Sequence, residues 1–335
     1  MTRGSLAVKC LAEAALGAAV IIGVASESPR LTLMESNAAL QAGEADRALA
    51  LLNSARAAGG NLAEADNLEC RVRFTLEEWN AAVSSCQKAV DLDEENSDYH
   101  MWLGRALGEK ANRASFLSAF SLAKKTRMQF EQAVRLNPRN ASALADLGEF
   151  YRSAPGVVGG GLDKAESVAL ELDRVDPARA HELRGRIAEE RKDYGTAERE
   201  YKQAIAYSPH PAFRWTTLAD LYRRRQRWTE MDAAIESCMK AAEHDKQAGV
   251  PLFDAASILL EANQNLPLAA KMYEEYLASP AKTEEAPAFV AETRLARVEE
   301  RLGDYEAAKK AQAAALVLAR EYRPAQDLKI AETKH

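Results

Sequence analysis

Apolar and polar residues alternate along most of this chain with the period of an α-helix, and the alternation itself recurs. In the stretch GEADRALALLNSA, Ala48, Leu52 and Ala55 fall on one helical face after Gly43. The same frame returns 34 residues later as Ala82, Cys86 and Ala89, led by Trp79. A third unit opens with Trp102-Leu103-Gly104, and Phe130, Ala133 and Pro138 resume its frame further on. Leu147, Gly148 and Tyr151 follow. The frame is clearest in Tyr194, Ala197, Tyr201, Ala204 and Pro209. Later units carry Trp215, Leu218, Tyr222 and Trp228, then Leu266, Ala269, Tyr273 and Tyr276, then Gly303, Tyr305, Ala308 and Ala315. Each unit predicts two helices: small residues let them approach closely, large ones fill the gaps, and Pro ends the second.

A helix–turn–helix unit repeating every 34 residues with these small and aromatic positions resembles the tetratricopeptide repeat. One such hairpin cannot bury its own apolar faces, so the units must stack. The resemblance implies an all-α fold: a right-handed α-solenoid of about eight repeats over residues 29–322, with a concave groove. The remaining residues, 323–335, read as a polar tail. Two units are stretched. Gly104 to Pro138 is about ten residues longer than the repeat allows, placing an insertion near 108–126, and Gly148 to Pro177 is about five longer, placing another near 155–161.

Composition narrows the function classes. Ala, Leu, Glu, Arg and Lys dominate, aromatic residues make up 7%, and the formal charge is −6. That argues for helix throughout and against a nucleic-acid partner, which calls for a basic footprint. The first 26 residues have the layout of a secretory signal: Arg3 and Lys9, then the apolar run Ala14–Ser26, with Val24 and Ser26 placed for cleavage. The expected compartment is therefore periplasmic or secreted; the alternative is an uncleaved N-terminus anchored at the inner membrane. No other segment could span a membrane. Cys70, Cys86 and Cys238 occupy small buried positions of the repeat, which packing alone explains. Cys70 and Cys86 also face each other across one hairpin, where an oxidising compartment would permit a disulfide.

No catalytic constellation emerges. The five histidines are scattered, with no HExxH, no GxSxG and no metal-ligand spacing, so no catalytic residue, metal or cofactor is expected. Gly159, Gly160 and Gly161 precede a helix start but lack the phosphate-loop Lys-Ser/Thr; they read as a tight connection or as an anion site. The first insertion keeps Phe116 and Phe120 at helical spacing and ends in Lys124 and Lys125, predicting an extra turn or short helix beside the glycines. Together the two insertions look like those of exported bacterial tetratricopeptide-repeat proteins with no assigned activity, which implies fold and compartment but no substrate.

In such solenoids the residue after the small position of the first helix faces the groove. Here that position holds Arg71, Arg105, Arg186 and Arg297, and Arg152 and Arg223 lie a turn on in their repeats. Arg binds carboxylates bidentately, so these six suit an acidic segment, unless Glu149, Glu182 and Asp220 already pair with them. The expected function is a non-catalytic interaction scaffold holding a protein or extended peptide partner in the groove. The alternative is a small-ligand or anion sensor at the insertions.

Overall fold

The computed structural model describes residues 28–245 and 249–331; the leader expected at 1–26 lies outside them. Sixteen helices pair in sequence order into eight hairpins. The first four hairpins are α1 Pro29–Ala42 with α2 Ala45–Ala57, α3 Leu62–Thr75 with α4 Trp79–Leu92, α5 Ser97–Asn112 with α6 Phe116–Leu136, and α7 Ala141–Ser153 with α8 Leu162–Leu172. The second four are α9 Pro177–Glu190 with α10 Tyr194–Tyr207, α11 Pro211–Arg224 with α12 Trp228–Ala242, α13 Gly249–Ala262 with α14 Leu266–Ala278, and α15 Ala288–Leu302 with α16 Tyr305–Leu318.

Sterics account for the small-residue positions. A Cβ on Gly104 would lie 2.5 Å from the Phe130 ring, and one on Gly185 would lie 2.5 Å from the Tyr201 ring. Each glycine therefore makes room for an aromatic residue of its own partner helix. The turns inside the hairpins also share a conformation. Gly43, Glu77, Lys192, Gln226, Asn263 and Gly303 all have positive φ. After each, the next N–H bonds back five residues, as from Glu44 to Ala39 and from Glu78 to Arg73, satisfying a carbonyl at the helix end. Of the two stretched hairpins, α7–α8 carries the same turn at Gly159, whose next N–H, on Gly160, bonds back to Pro155, and α5–α6 lacks it.

The two ends of the solenoid meet. Leu33, Leu40 and Leu52 of the first hairpin share one apolar cluster with Phe289 of the last and with Ala319, Tyr322 and Ala325, which follow it. Gly43 abuts the backbone of Ala288, and a Cβ there would sit 2.2 Å from the Ala288 nitrogen. Polar contacts rim this seam. The Arg320 N–H donates to Asp46 at 3.1 Å, the Glu284 N–H donates to Gln41 at 3.2 Å, and Arg71 grips the Glu284 carboxylate at 2.6 and 2.8 Å. The concave face expected of the solenoid thus becomes the inside of a closed turn, around a central chamber.

The polar tail expected from residue 323 needs correcting as well. Arg323–Gln326 forms a short helix, α17, with Ala325 fully buried in the seam. Gln312 donates to the Ala325 and Leu328 carbonyls at 2.7 and 2.8 Å and holds the segment down. One small apolar residue at the right turn, with Tyr322 before it, is enough to dock a stretch that composition marks as solvent-exposed.

The first insertion is not a separate short helix. It lengthens the hairpin, giving α5 16 residues and α6 21, where the other paired helices have 11 to 15. The second forms a single 3-10 turn, Gly156–Val158. Cys70 and Cys86 form a disulfide joining α3 to α4, with Cα atoms 5.0 Å apart. A loop of that size stabilises the hairpin by about 3 kcal/mol through the unfolded chain.

The seam makes a direct prediction. Gly43→Ala combines positive φ with a backbone clash, so it should cost about 2–4 kcal/mol in equilibrium denaturation. Gly303→Ala, at φ 86° with nothing near its Cβ position, should cost only about 1–2 kcal/mol. Equal losses for the two variants would show that the seam contributes nothing.

Candidate functional site

Five of the six groove arginines are already held by carboxylates of this chain. Arg71 binds Glu284, and Arg105 Nε donates to Asp146 at 2.5 Å. Arg152 pairs with Glu149 at 2.5 Å and Glu190 at 2.8 Å, and Arg223 with Asp220 at 2.7 Å and Glu261 at 3.2 Å. Arg186 reaches Glu182 at 2.9 Å and Glu149 at 3.9 Å. Glu182 is the hub of this network. Burial pushes its carboxyl up, but Arg186, Arg214 and Arg179 together hold it below the usual range. Arg186 is the converse case: burial works against its charge, and Glu182 and Glu149 raise its pKa regardless. Arg297 is different. It is exposed to the chamber and has no ion pair or hydrogen bond among the described residues.

The chamber holds two cavities of about 1060 and 690 Å³, both lined by Arg294. Closure of the turn creates the larger one. Phe74, Trp79 and Trp102 form one wall, and Thr293 and Arg297 of the last hairpin, with Tyr322 just after it, form the other. The aromatic wall is built edge to face: the Phe74 ring lies 5.3 Å from Trp79 and 5.6 Å from Trp102. Three cations stack on it, Arg105 over Trp102 at 4.6 Å, Arg71 over Trp102 at 5.6 Å and Arg113 over Trp79 at 4.4 Å. These contacts fix the indoles while leaving them partly open. On the other side, Arg294 lies over Phe253 at 4.7 Å and bonds the Ser257 hydroxyl.

Asp254 lines the smaller cavity and has no hydrogen bond or ion pair among the described residues. Burial pushes its carboxyl up to about 7. Arg294 opposes the rise, while Glu285 and Glu182 add to it. The structure contains a carboxyl that can exist protonated near neutral pH.

The insertion residues are split between packing and solvent. Phe120 packs on the cluster containing Phe130 and Val158, and Lys124 lies over its ring at 4.3 Å. Arg127 fills the space beside Gly159, whose carbonyl accepts from Lys164 at 2.8 Å. Gly160 abuts the Ala154 carbonyl, and the Gly161 N–H donates to the Tyr151 carbonyl at 2.7 Å. The glycines therefore serve the contact between the two insertions. Phe116 and Lys125 face solvent.

No family model matches the chain. It is 25% identical over 297 residues to mouse Superkiller complex protein 3, a match spanning 75% of this chain and 18% of that one. It is 26% identical over 294 residues to Tetratricopeptide repeat protein 37 of Xenopus laevis, spanning 74% of this chain and again 18% of the relative. Among solved structures, a thermophilic TPR protein of Thermus thermophilus, TTC0263, superposes with a TM-score of 0.50 at 18% identity. That match covers 58% of this chain and 98% of the other. The chain has the fold of a tetratricopeptide-repeat solenoid and is similar in sequence to tetratricopeptide-repeat proteins.

Within the tetratricopeptide-repeat frame, several chamber residues escaped the sequence reading. Trp79 and Trp102 were legible only as packing positions, because nothing local announces that the last repeat comes round to face them. Asp254 did leave a signal. It is the one charge in the middle of the apolar run GVPLFDAASILL, where a buried face should carry none. Among the described residues, no helix is long and apolar enough to cross a membrane.

Asp254 supplies the second prediction. A carboxyl whose pKa rises on folding binds its proton more tightly in the native state. Its contribution to stability is therefore full below about pH 4 and is lost as pH rises through about 7. Asp254→Asn should remove that loss. Allowing for water in the chamber, the variant should be stabler by roughly 1–2 kcal/mol in denaturant at alkaline pH, with the gain gone in acid. A gain independent of pH would mean that the carboxyl is not desolvated.

Proposed function

We propose that the protein is a non-catalytic interaction scaffold that takes an extended segment of a partner protein into its central chamber. One observation carries this reading. The larger cavity has an open, pre-ordered aromatic wall of Phe74, Trp79 and Trp102 facing Arg297, the groove arginine left without a partner among the described residues. Aromatic and Arg side chains in a desolvated pocket are the usual energetic centres of protein recognition. The indoles grip the apolar part of the segment, and Arg297 receives one carboxylate, from an acidic side chain or a chain terminus. The other five groove arginines keep the wall in shape. A sensor at the insertions is less well supported, because Arg127 and Lys164 already occupy the glycine loop.

The same reading assigns the protein to an oxidising compartment, periplasmic or secreted, or held at the inner membrane by its N-terminus. Its supports are the Cys70–Cys86 disulfide and the apolar run that follows Arg3 and Lys9.

A pull-down from envelope extract tests the chamber. Trp102→Ala and Arg297→Glu should each lower partner recovery by on the order of tenfold or more, with helical content unchanged by circular dichroism. Recovery by both variants at the wild-type level would sink the proposal. Alkylation of the protein as extracted, read by mass spectrometry, tests the compartment. Cys70 and Cys86 should stay unmodified until a reductant is added, and immediate modification of both would place the chain in a reducing environment.

A further inference from the structure

The lengthened hairpin carries a surface that the chamber does not use. At the start of α6, Phe116 is 86% exposed and Leu117 is 82% exposed. Two large apolar side chains this open, side by side at a helix end, are unusual on a chain whose other aromatic residues mostly pack. Behind them, Lys124 and Met128 continue the stripe that starts at Leu117, at spacings of seven and four residues, and both are exposed. Lys125 borders the same stripe. Between Glu109 and Met128 there are five basic side chains and one acidic one, in a protein with 50 acidic and 44 basic residues overall. Arg113 is paired with Glu109, and Arg127 lies 3.5 Å from Glu131. The ammonium groups of Lys110, Lys124 and Lys125 have no carboxylate partner among the described residues.

From this surface we infer that the protein docks on an anionic lipid bilayer, tip first, through the α5–α6 hairpin. Shape and spacing favour lipid over a protein partner. The feature is a convex end with its apolar groups outermost, which suits a deformable apolar layer better than a complementary pocket. Lys124 and Lys125 lie eight and nine residues behind Phe116, about 12 Å along the helix. With Phe116 and Leu117 sunk about 5–10 Å below the headgroups, the two ammonium groups come level with the lipid phosphates. The charge of the segment is complementary to such a surface, whereas that of the whole chain is not. Other residues of the hairpin line the larger cavity, but Phe116, Leu117, Lys124 and Lys125 do not, so a docked protein would still be free to hold its partner.

Flotation of the full chain with vesicles tests the proposal. Phosphatidylcholine vesicles containing phosphatidylglycerol should carry the protein up the gradient, and high salt should release it. Phe116→Ser/Leu117→Ser and Lys124→Glu/Lys125→Glu should each weaken vesicle partitioning on the order of tenfold or more. Trp102→Ala and Arg297→Glu should leave it unchanged, so failure here and failure of the chamber reading can be told apart. A second readout isolates the tip from the N-terminal segment. An environment-sensitive fluorophore on Leu117→Cys, in a Cys10→Ser background, should shift to the blue with anionic vesicles only. Equal binding to pure phosphatidylcholine, full binding by the lysine variant, or an unmoved fluorophore would overturn the proposal. Capture of polyglutamate in place of vesicles, abolished by the same variants, would overturn it in favour of an acidic protein partner.

Discussion

The seam between the first and last hairpins is the constraint on which the rest of the molecule depends. A stack of helical hairpins buries its apolar faces against its neighbours, and its two terminal faces are ordinarily left for solvent or a capping helix. Here each terminal face caps the other. Phe289 and Tyr322, with rings 4.8 Å apart, fill the space between Leu33, Leu40 and the end of α16. Gly43 lets the backbones meet where any side chain would hold them apart. The larger cavity depends on this contact, since it brings Thr293, Arg297 and Tyr322 round to face a wall built from the second to fourth hairpins.

The repeat architecture was legible in the sequence because its determinants are local. Gly104 and Gly185 announce an aromatic residue on the partner helix, and the 34-residue register places each turn. The seam was not legible, because its partners lie far apart in the chain: Arg71 and Glu284 are separated by 213 residues. Closure depends on the accumulated twist of eight hairpins, a quantity that no single residue encodes. The two insertions show the same division. Their mutual contact followed from neighbouring positions in successive repeats. That the first would extend α5 and α6, in place of a separate helix, was set by the unbroken helical pattern from Phe116 to Leu136.

The groove arginines illustrate why a surface pattern underdetermines its use. The repeat frame placed four of them one residue after a small position and Arg152 and Arg223 a turn on, but carboxylates of this chain convert five of the six into braces. Glu182 alone engages Arg186 and Arg214, tying α9 to α11 across the inner wall. Such partly buried networks hold geometry more than they add net stability. Arg297 stands apart because no acidic residue reaches it from either flank, a difference that becomes visible only when the neighbouring repeats are in place.

A solenoid with free ends can gain or lose a repeat at little cost, since each unit answers only to its neighbours. A turn that has bitten its own tail cannot. Adding or deleting one hairpin here would carry Phe289 and Tyr322 past the surface they cover and leave both end faces bare. The number of repeats in this chain is therefore held by geometry, as the number of subunits is in a symmetric ring. Variation in length is confined to places that do not alter the twist between hairpins, and the two stretched turns at α5–α6 and α7–α8 are such places.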